Sequence, residues 1–584
     1  MKKTFLLSCL MLAAMPVMAA YTGHVYVDKN KNGVFDQSEK PLAGIKVSDG
    51  LNVVETAADG SFTLPGHERE RFIFITTPSG YKTFNRHYHK IEKKQSGYDF
   101  GLIPYSGRIR KNGSHRYIHI ADTEIFNTEN HADWVNNVRD YARNEQAAFI
   151  IHTGDICYEK GLKAHIKLMN TENMDCPVFY CIGNHDLVKG KYGEELFESI
   201  YGPVYYSFDA GNVHYVVTPM PGGDHAPGYT SDDVCRWLKN DLAHIRPGTP
   251  VVVFNHDLLT YEDTFIFKSK NAGSINLNEY NLKAWVYGHW HINYMKKQGD
   301  VYSVCTSSLD KGGIDHSTTA FRVMHVDSKG DFTSELRYTY LDKNICIASP
   351  AGVMASGVLP VAVNVYSSVS PVREVLYTCL ADGKPVLKNK RLLQSTDWSW
   401  NGELPLSHKY VGKELTLRVT ARFNNGEIAE AESHFICRTE KAVPLFSADW
   451  DNLSGNAKHS APVSAPLNLP LQLAWTNNVG ANLYMTSPLI HKGKVIVASV
   501  DEDLKGAGHV YALNGKDGTI LWSCPVRNSI KNSIAVDSDI VFAQDAQGFL
   551  YAIDTETGKL CWEKQLPVNG LPALIDGLGA GEGV

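Results

Sequence analysis

Five short apolar runs between residues 117 and 291 each end in a residue able to bind a metal or carry a proton. Tyr117–Ile120 leads to Asp122, Phe149–His152 to Asp155, Val178–Tyr180 to Asn184, Val251–Phe254 to His256, and Trp285–Tyr287 to His289. Helical stretches are expected between them, over 130–145, 159–173, 191–200 and 231–244. Strands alternating with helices read as an α/β core, whose ligands gather beyond the carboxyl ends of the strands. One histidine at a strand end is an ordinary structural residue. Five such segments in order are not.

The segments are Asp122-Thr123-Glu124, Gly154-Asp155-Ile156-Cys157-Tyr158, Gly183-Asn184-His185-Asp186, Asn255-His256 and Gly288-His289-Trp290-His291. Carboxylates and imidazoles in this number suit a two-metal site. A carboxylate such as Asp155 can bridge two cations, and His-x-His can send one imidazole to each. The expected chemistry is in-line attack on phosphorus by a dimetal-activated hydroxide, with a nearby histidine protonating the leaving oxygen.

These segments resemble the calcineurin-like metallophosphoesterases, whose pattern is D-x-H, G-D-x-x, G-N-H-[DE], a lone His and G-H-x-H. The stretch from Tyr201-Gly202-Pro203 through Gly211-Asn212-Val213-His214 is similar to a β-hairpin of that family. The resemblance implies a four-layer α/β/β/α core. It places Asp122, Asp155 and His291 on one metal, and Asp155, Asn184, His256 and His289 on the other. His185 becomes the general acid and Asp186 its orienting partner. Glu124 stands where the family has a histidine, which favours a harder metal, Mn or Fe, beside Zn as the alternative. Gly154-Asp155-x-x-Tyr158 and Val253-x-x-His256 also resemble purple acid phosphatases, in which Tyr158 would be a metal ligand; their first motif is D-x-G, which this chain lacks.

The flanks read differently. Residues 21–104 alternate short β-runs with turns, as a small β-sandwich does, and 345–440 return to that pattern. Asp28, Asn30, Asn32, Gly33, Val34, Asp36 and Glu39 fit the twelve-residue calcium loop D-x-[DN]-x-[DN]-G-x5-E, here between strands, with a structural Ca²⁺ as its occupant. Val510 to Trp522 recurs as Leu550 to Trp562 at a period of 40 residues, the spacing of propeller blades. The blades resemble PQQ-type repeats, with Leu473-Ala474-Trp475 as a preceding Trp-ended strand. Residues 465–584 hold room for about three blades where closed propellers need at least four. The region is therefore read as incomplete, ending in a Gly-rich stretch from Gly577, either truncated or completed by a protein partner.

Lys2 and Lys3, an apolar run from Phe5 to Val17, and small residues at Ala19 and Ala20 read as a secretory signal over 1–20. No transmembrane anchor is expected after its removal, and the mature chain is expected in the periplasm or at the cell surface. Setting Cys9 aside leaves ten scattered cysteines, of which Cys176 and Cys181 are spaced to pair. With 43% hydrophobic and 21% charged residues the chain is no disordered or polytopic membrane protein. Its net charge of −6 offers no basic field for nucleic acid. The leading expectation is an exported metallophosphoesterase acting on small phosphate mono- or diesters, with His225 and Tyr229 of a Gly/Pro-rich loop as candidate substrate contacts. Its rivals are an inactive phosphoesterase-like binding protein, and a nuclease or cyclic-nucleotide phosphodiesterase on the same site.

Overall fold

The computed structural model describes residues 20–95, 97–440, 448–460, 473–483, 486–503 and 505–566. All but the last residue of the expected signal segment, residues 441–447 and 461–472, and the Gly-rich end lie outside them.

Residues 21–104 form two small sheets around Val25, Val47, Phe62, Ile73, Ile75 and Leu102. Tyr21–Val27 pairs with Phe100–Pro104 in parallel and with Ser61–Leu64 antiparallel, and the loop over 28–39 joins it to Lys40–Pro41 beside it. This unit is fastened to the next. Arg71 reaches Glu194 at 2.8 Å and Glu198 at 3.1 Å, and the Thr76 and Ser207 hydroxyls meet at 2.9 Å.

The next region holds two sheets. In the first, β1 (His115–Ile120), β2 (Phe149–His152) and β3 (Val178–Tyr180) run parallel. Between them lie α1 (Ala132–Asn144) and α2 (Tyr158–Leu168). The order along the second sheet begins with α3 (Glu195–Tyr201), then the hairpin β4 (Tyr206–Ala210) and β5 (Val213–Val217), then α4 (Ser231–Ala243). Strands β5, β6 (Val251–Phe254), β7 (Leu282–Tyr287) and, after β8 (Tyr294–Gln298), β9 (Val301–Cys305) are parallel neighbours. Strands β10 (Ala320–Val326) and β11 (Phe332–Tyr338) return to complete the first sheet beside β1. Strands β2 and β6 are almost wholly apolar, as burial on both faces demands, while buried His119 of β1 is satisfied by the Thr153 and Thr306 hydroxyls at 2.8 Å each.

An aromatic layer joins the sheets. Tyr117 and Phe149 stack at 4.7 Å, and Phe149 meets Tyr215 edge-on at 5.0 Å. Helix α1 buries Trp134, Val135, Val138, Tyr141 and Ala142, a one-sided helical stripe packed with Ile118, Ile150 and Val323. Helix α4 begins with a capping box: the Thr230 hydroxyl accepts from the Asp233 amide at 3.2 Å, and the Asp233 carboxylate accepts from the Thr230 amide at 3.0 Å. The imidazole of His214 lies buried between Asp209 (2.7 Å) and Asp241 (2.8 Å), tying β4 and β5 to α4. Burial opposes its charge, but the two carboxylates prevail and lift it to about 9.

Residues 344–438 build two sheets, antiparallel except where Gly352–Ala355 pairs in parallel with Ile428–Arg438, around Val361, Val363, Tyr377, Leu417 and Val419. The buried Arg337 guanidinium of β11 lies over Tyr366 of this unit at 4.6 Å and over Tyr141 of α1 at 5.3 Å.

The 40-residue repeat becomes two four-stranded meanders, over Leu489–Val526 and Ala535–Gln565. Leu473-Ala474-Trp475 is not a strand: no partner strand lies beside it among the described residues. Its tryptophan nevertheless donates to the Gly515 carbonyl at 2.8 Å, as Trp522 of the first meander donates to Thr555 of the second at 3.0 Å. Each indole covers a glycine at φ near +70°, Gly518 and Gly558, where a Cβ would strike the ring. Cys176 and Cys181 are free and buried, and no disulfide occurs among the described residues. No helix among them is long and apolar enough to cross a membrane.

The meanders dock on the central region through buried charge. Lys531 bonds Asp315 at 2.6 Å, the Asn293 carbonyl at 2.8 Å, and Glu502. Buried Arg322 of β10 donates to the Glu502 carbonyl at 2.9 Å. Removing one member of a buried ion group costs about 3–5 kcal/mol, because its partners stay buried and unpaired. Lys531→Met is therefore expected to lower the thermal midpoint of the full chain and to expose the meanders to limited proteolysis. His214 adds a pH dependence. Its folded value exceeds the unfolded value near 6.5, so its stabilisation is complete below pH 6.5 and fades as pH rises through about 9. Thermal midpoints measured across that window should fall, and His214→Gln should flatten the decline.

Candidate metal centre

The parallel strands of both sheets deliver their carboxyl ends to one place. Asp122 follows β1, Asp155 follows β2, Asn184 and His185 follow β3, His256 follows β6, and His289 and His291 follow β7. The imidazole of His256 is the hub. Its Nδ1 is 2.7 Å from the Thr153 carbonyl, so this nitrogen donates there and Nε2 is the one that faces the cluster. Around Nε2 stand Asp155 Oδ2 at 3.1 Å, Asn184 Oδ1 at 3.1 Å and Asp122 Oδ1 at 4.0 Å. Ligand atoms of Asp155, His256 and His289 lie within 4.8 Å of one another. His291 Nε2 is 3.7 Å from Asp122 and 3.5 Å from Glu124.

Backbone strain makes this approach. Asp122, Glu124, Asp155, Cys157, Tyr158, His289 and His291 all take positive φ, between 43° and 74°. Such conformations persist in non-glycine residues only where surroundings enforce them. Gly154, at φ 99°, is required: a Cβ there would lie 2.7 Å from both Gly183 N and His256 Nδ1. The indoles of Trp285 and Trp290 donate to the carbonyl and side chain of Asp257, at 2.8 and 3.1 Å, and so hold the turn carrying His256.

The electrostatics call for a cation. Asp122 is fully buried, and burial, with Asp155 nearby, raises it well above the usual carboxylate range against the pull of His256. Burial would do the same to Asp155, but His256 holds it down at about 2. Burial likewise opposes charge on His256, yet Asp155 and Asp122 lift it to about 10. Burial keeps His289 and His291 below the ordinary imidazole value and hence neutral, the state in which imidazole binds metal. Carboxylate, amide oxygen and imidazole form the donor set of a hard or borderline metal pair. Cys157 lies beside Glu124 and Asp155, but burial pushes its thiol up and denies it the thiolate form.

Two expected roles are corrected. Asp186 does not orient His185: it is buried, and its two oxygens accept the Cys157 and Gly183 amides at 2.8 and 2.9 Å. The carboxylate on His185 is Asp224, 2.9 Å from Nδ1. Burial opposes charge on His185, while that hydrogen bond and Asp155 raise it. Tyr229 faces no substrate. It is buried with Phe197 and Tyr201, and its hydroxyl donates to the Met220 carbonyl. His225, in the same loop, is exposed. Tyr158 lies beside the cluster with its ring against His185 at 5.5 Å.

Two partners went unread in the sequence. Asp224 sits in the loop singled out there, next to the histidine that drew attention. Lys311 pairs with Glu124 Oε2 at 3.0 Å from a stretch without any motif. Far from the centre, the loop over 28–39 folds around its own acids. Asp28 accepts the Asn32 and Gly33 amides, Glu39 accepts those of Lys29 and Asp36, and Asp36 accepts from the Asn30 and Asn32 side chains. Val34 donates its amide to Asn32.

Comparison with known proteins agrees with this picture. Residues 29–104 match the N terminal of Calcineurin-like phosphoesterase, 115–293 the Calcineurin-like phosphoesterase family, and 472–574 the Outer membrane protein assembly factor BamB family. Purple acid phosphatase 13 of Arabidopsis thaliana is 26% identical over 215 residues, 34% of this chain and 36% of the plant protein. The chain thus spans about a third of that relative's length. A Streptococcus pneumoniae TIGR4 protein described as a predicted phosphoesterase aligns over 39% of this chain and 98% of its own, at 12% identity and TM-score 0.19. BamB of Moraxella catarrhalis aligns over 42% and 67%, at 12% identity and TM-score 0.13. The chain carries a calcineurin-like phosphoesterase domain, preceded by that family's N-terminal domain and followed by a BamB-like region.

Proposed function

We propose that this chain is an exported metal-dependent phosphohydrolase cleaving small phosphate mono- or diesters. The observation that carries the reading is the meeting of Asp122, Asp155, Asn184, His256, His289 and His291 at the ends of parallel strands, within the stretch matching calcineurin-like phosphoesterases. The layering α/β/β/α is supported by α1 against the first sheet and α4 against the second. Asp122, Asp155 and His291 would hold one metal, and Asp155, Asn184, His256 and His289 the other. Bound there, two metals supply an activated water and neutralise charge on the phosphoryl oxygens. A structural Ca²⁺ in the 28–39 loop would draw on Asp28, Asp36 and Glu39.

The chain's own groups supply the rest. Asp224 fixes the His185 ring through Nδ1, leaving Nε2 to hand its proton to the departing alcohol oxygen. Lys311 balances the extra charge of Glu124, which is 26% exposed. The amide of His185 donates to Asp155 Oδ1 at 3.0 Å, so the proton donor is indexed to the ligand carboxylate. A purple-acid-phosphatase-like variant, with the Tyr158 phenolate on a ferric ion, draws support from the Arabidopsis likeness.

The test is turnover of 4-nitrophenyl phosphate and its bis ester by the full chain with Mn²⁺, Zn²⁺ or iron. His185→Ala should lower kcat by about 10²–10⁴-fold while metal content stays intact. His289→Ala should lose metal, read by elemental analysis, together with activity. A folded, metal-loaded protein that turns over neither ester would overturn the reading. The two aspartates should separate cleanly. Asp224→Asn should lower kcat by about 10–100-fold, as loss of an orienting carboxylate does, with little change in thermal midpoint. Asp186→Ala strands two buried amides and should cost about 2–3 kcal/mol of stability, seen by denaturation.

A further inference from the structure

Two aromatic rings stand open beside the metal centre. Phe126 is 56% exposed and Tyr158 is 40% exposed. Their planes are 17° apart with centroids at 6.3 Å, and Tyr158 in turn tilts against the His185 imidazole at 5.5 Å. His185 is itself bound through its amide to Asp155. The three rings therefore form a row running outward from a ligand carboxylate.

Strain shows that this row is enforced. Tyr158 has φ 54° and follows Cys157 at φ 74°, a conformation costly for bulky residues. A tyrosine serving as packing would relax and bury its ring; here it is held in a disfavoured backbone and left 40% exposed. The segment bearing Phe126 and the helix bearing Tyr158 are locked in contact at Gly161, where a Cβ would collide with the Ile125 and Ile156 carbonyls.

We propose that Phe126 and Tyr158 are a stacking platform for a flat ring in the leaving group, and that the substrate is a nucleoside monophosphate. This rests on the phosphohydrolase reading above. A ring bonded directly to the ester oxygen would lie at His185, the proton donor. The open faces begin one ring further out, and a pentose fills that interval. The phosphate then sits at the ligand cluster, the sugar passes His185, and the base lies on Tyr158 and Phe126. Stacking tolerates any base, since every base has a π-face, so purine and pyrimidine nucleotides should all be accepted.

The experiment compares AMP with ribose 5-phosphate, which shares its phosphate and sugar and lacks the base, on the metal-loaded full chain. AMP should be preferred by tenfold or more in kcat/KM, chiefly through KM, and the ratio should fall toward one in Phe126→Ala and in Tyr158→Leu. Calorimetry of adenosine and ribose reads the platform without turnover: adenosine should bind, ribose should not, and both substitutions should weaken adenosine about tenfold. Equal kcat/KM for AMP and ribose 5-phosphate, with no adenosine binding, would overturn the platform and leave the hydrolase standing. An iron-loaded protein whose visible absorption vanishes in Tyr158→Phe would place that phenolate on the metal and overturn it too. Failure to hydrolyse AMP, ribose 5-phosphate and 4-nitrophenyl phosphate alike would overturn the hydrolase reading, and this one with it.

Discussion

Two carboxylates, Asp122 and Asp155, are buried within reach of one imidazole, and the central region is organised around keeping them there. Desolvating two negative charges side by side is unfavourable. Hydrogen bonds offset part of the cost: the His289 amide lies 3.1 and 3.0 Å from the oxygens of Asp122, and the His185 amide binds Asp155. The His256 imidazole supplies the opposing charge in this structure. A cation in the same position would do so more fully and would release the proton that His256 otherwise holds, which is how metal binding and protonation become linked.

The outer units bear on the same place. Lys531 of the BamB-like region binds the carbonyl of Asn293, two residues past His291, and the carboxylate of Asp315, four residues past Lys311. Gly506 packs against the Met295 carbonyl so closely that a Cβ would not fit, and Asn528 donates to that carbonyl at 3.2 Å. The meanders thus brace the turn that carries the last two histidines from behind. On the other flank, Arg71 of the N-terminal unit binds Glu194 and Glu198 at helix α3, whose Phe197 and Tyr201 pack with Tyr229 of the loop bearing Asp224. Both flanking units therefore touch elements one step removed from the chemistry.

Sequence made the ligand cluster legible because parallel strands impose a rule. An apolar run that must be buried on both faces stops where the chain reaches the ligand end, so the first polar residues beyond it are the candidates for the site. Asp122, Asp155, Asn184, His256 and His289 obey that rule. The partner of His185 does not. Asp186 follows His185 directly, and adjacency suggested contact. In a tight turn, however, neighbouring side chains diverge, and Asp186 turns inward to the Cys157 and Gly183 amides. Asp224 reaches His185 across a loop whose composition marks it only as a connection, and nothing in a linear pattern encodes that approach. Trp475 marks the opposite case: no strand forms around it among the described residues, yet its indole makes the same contact as Trp522, because the docking glycine and carbonyl belong to the following meander.

The strained residues connect these levels. An α/β core needs tight turns after its strands, and glycine usually provides them. Here Gly154, Gly183 and Gly288 are spent on close approach beside the candidate ligands, and positive φ angles also fall on Asp122, Asp155, His289 and His291 and on Tyr158. A side chain on a left-handed residue leaves the backbone in a direction that the ordinary strand-to-helix turn does not offer. Asp122, Asp155, His289 and His291 use it to converge. Tyr158 uses it to stand outward beside His185 rather than fold into the core of helix α2. The same backbone device therefore accounts for the tight inner cluster and for the open aromatic face next to it, and the strain at Tyr158 gives that face a role that packing alone does not require.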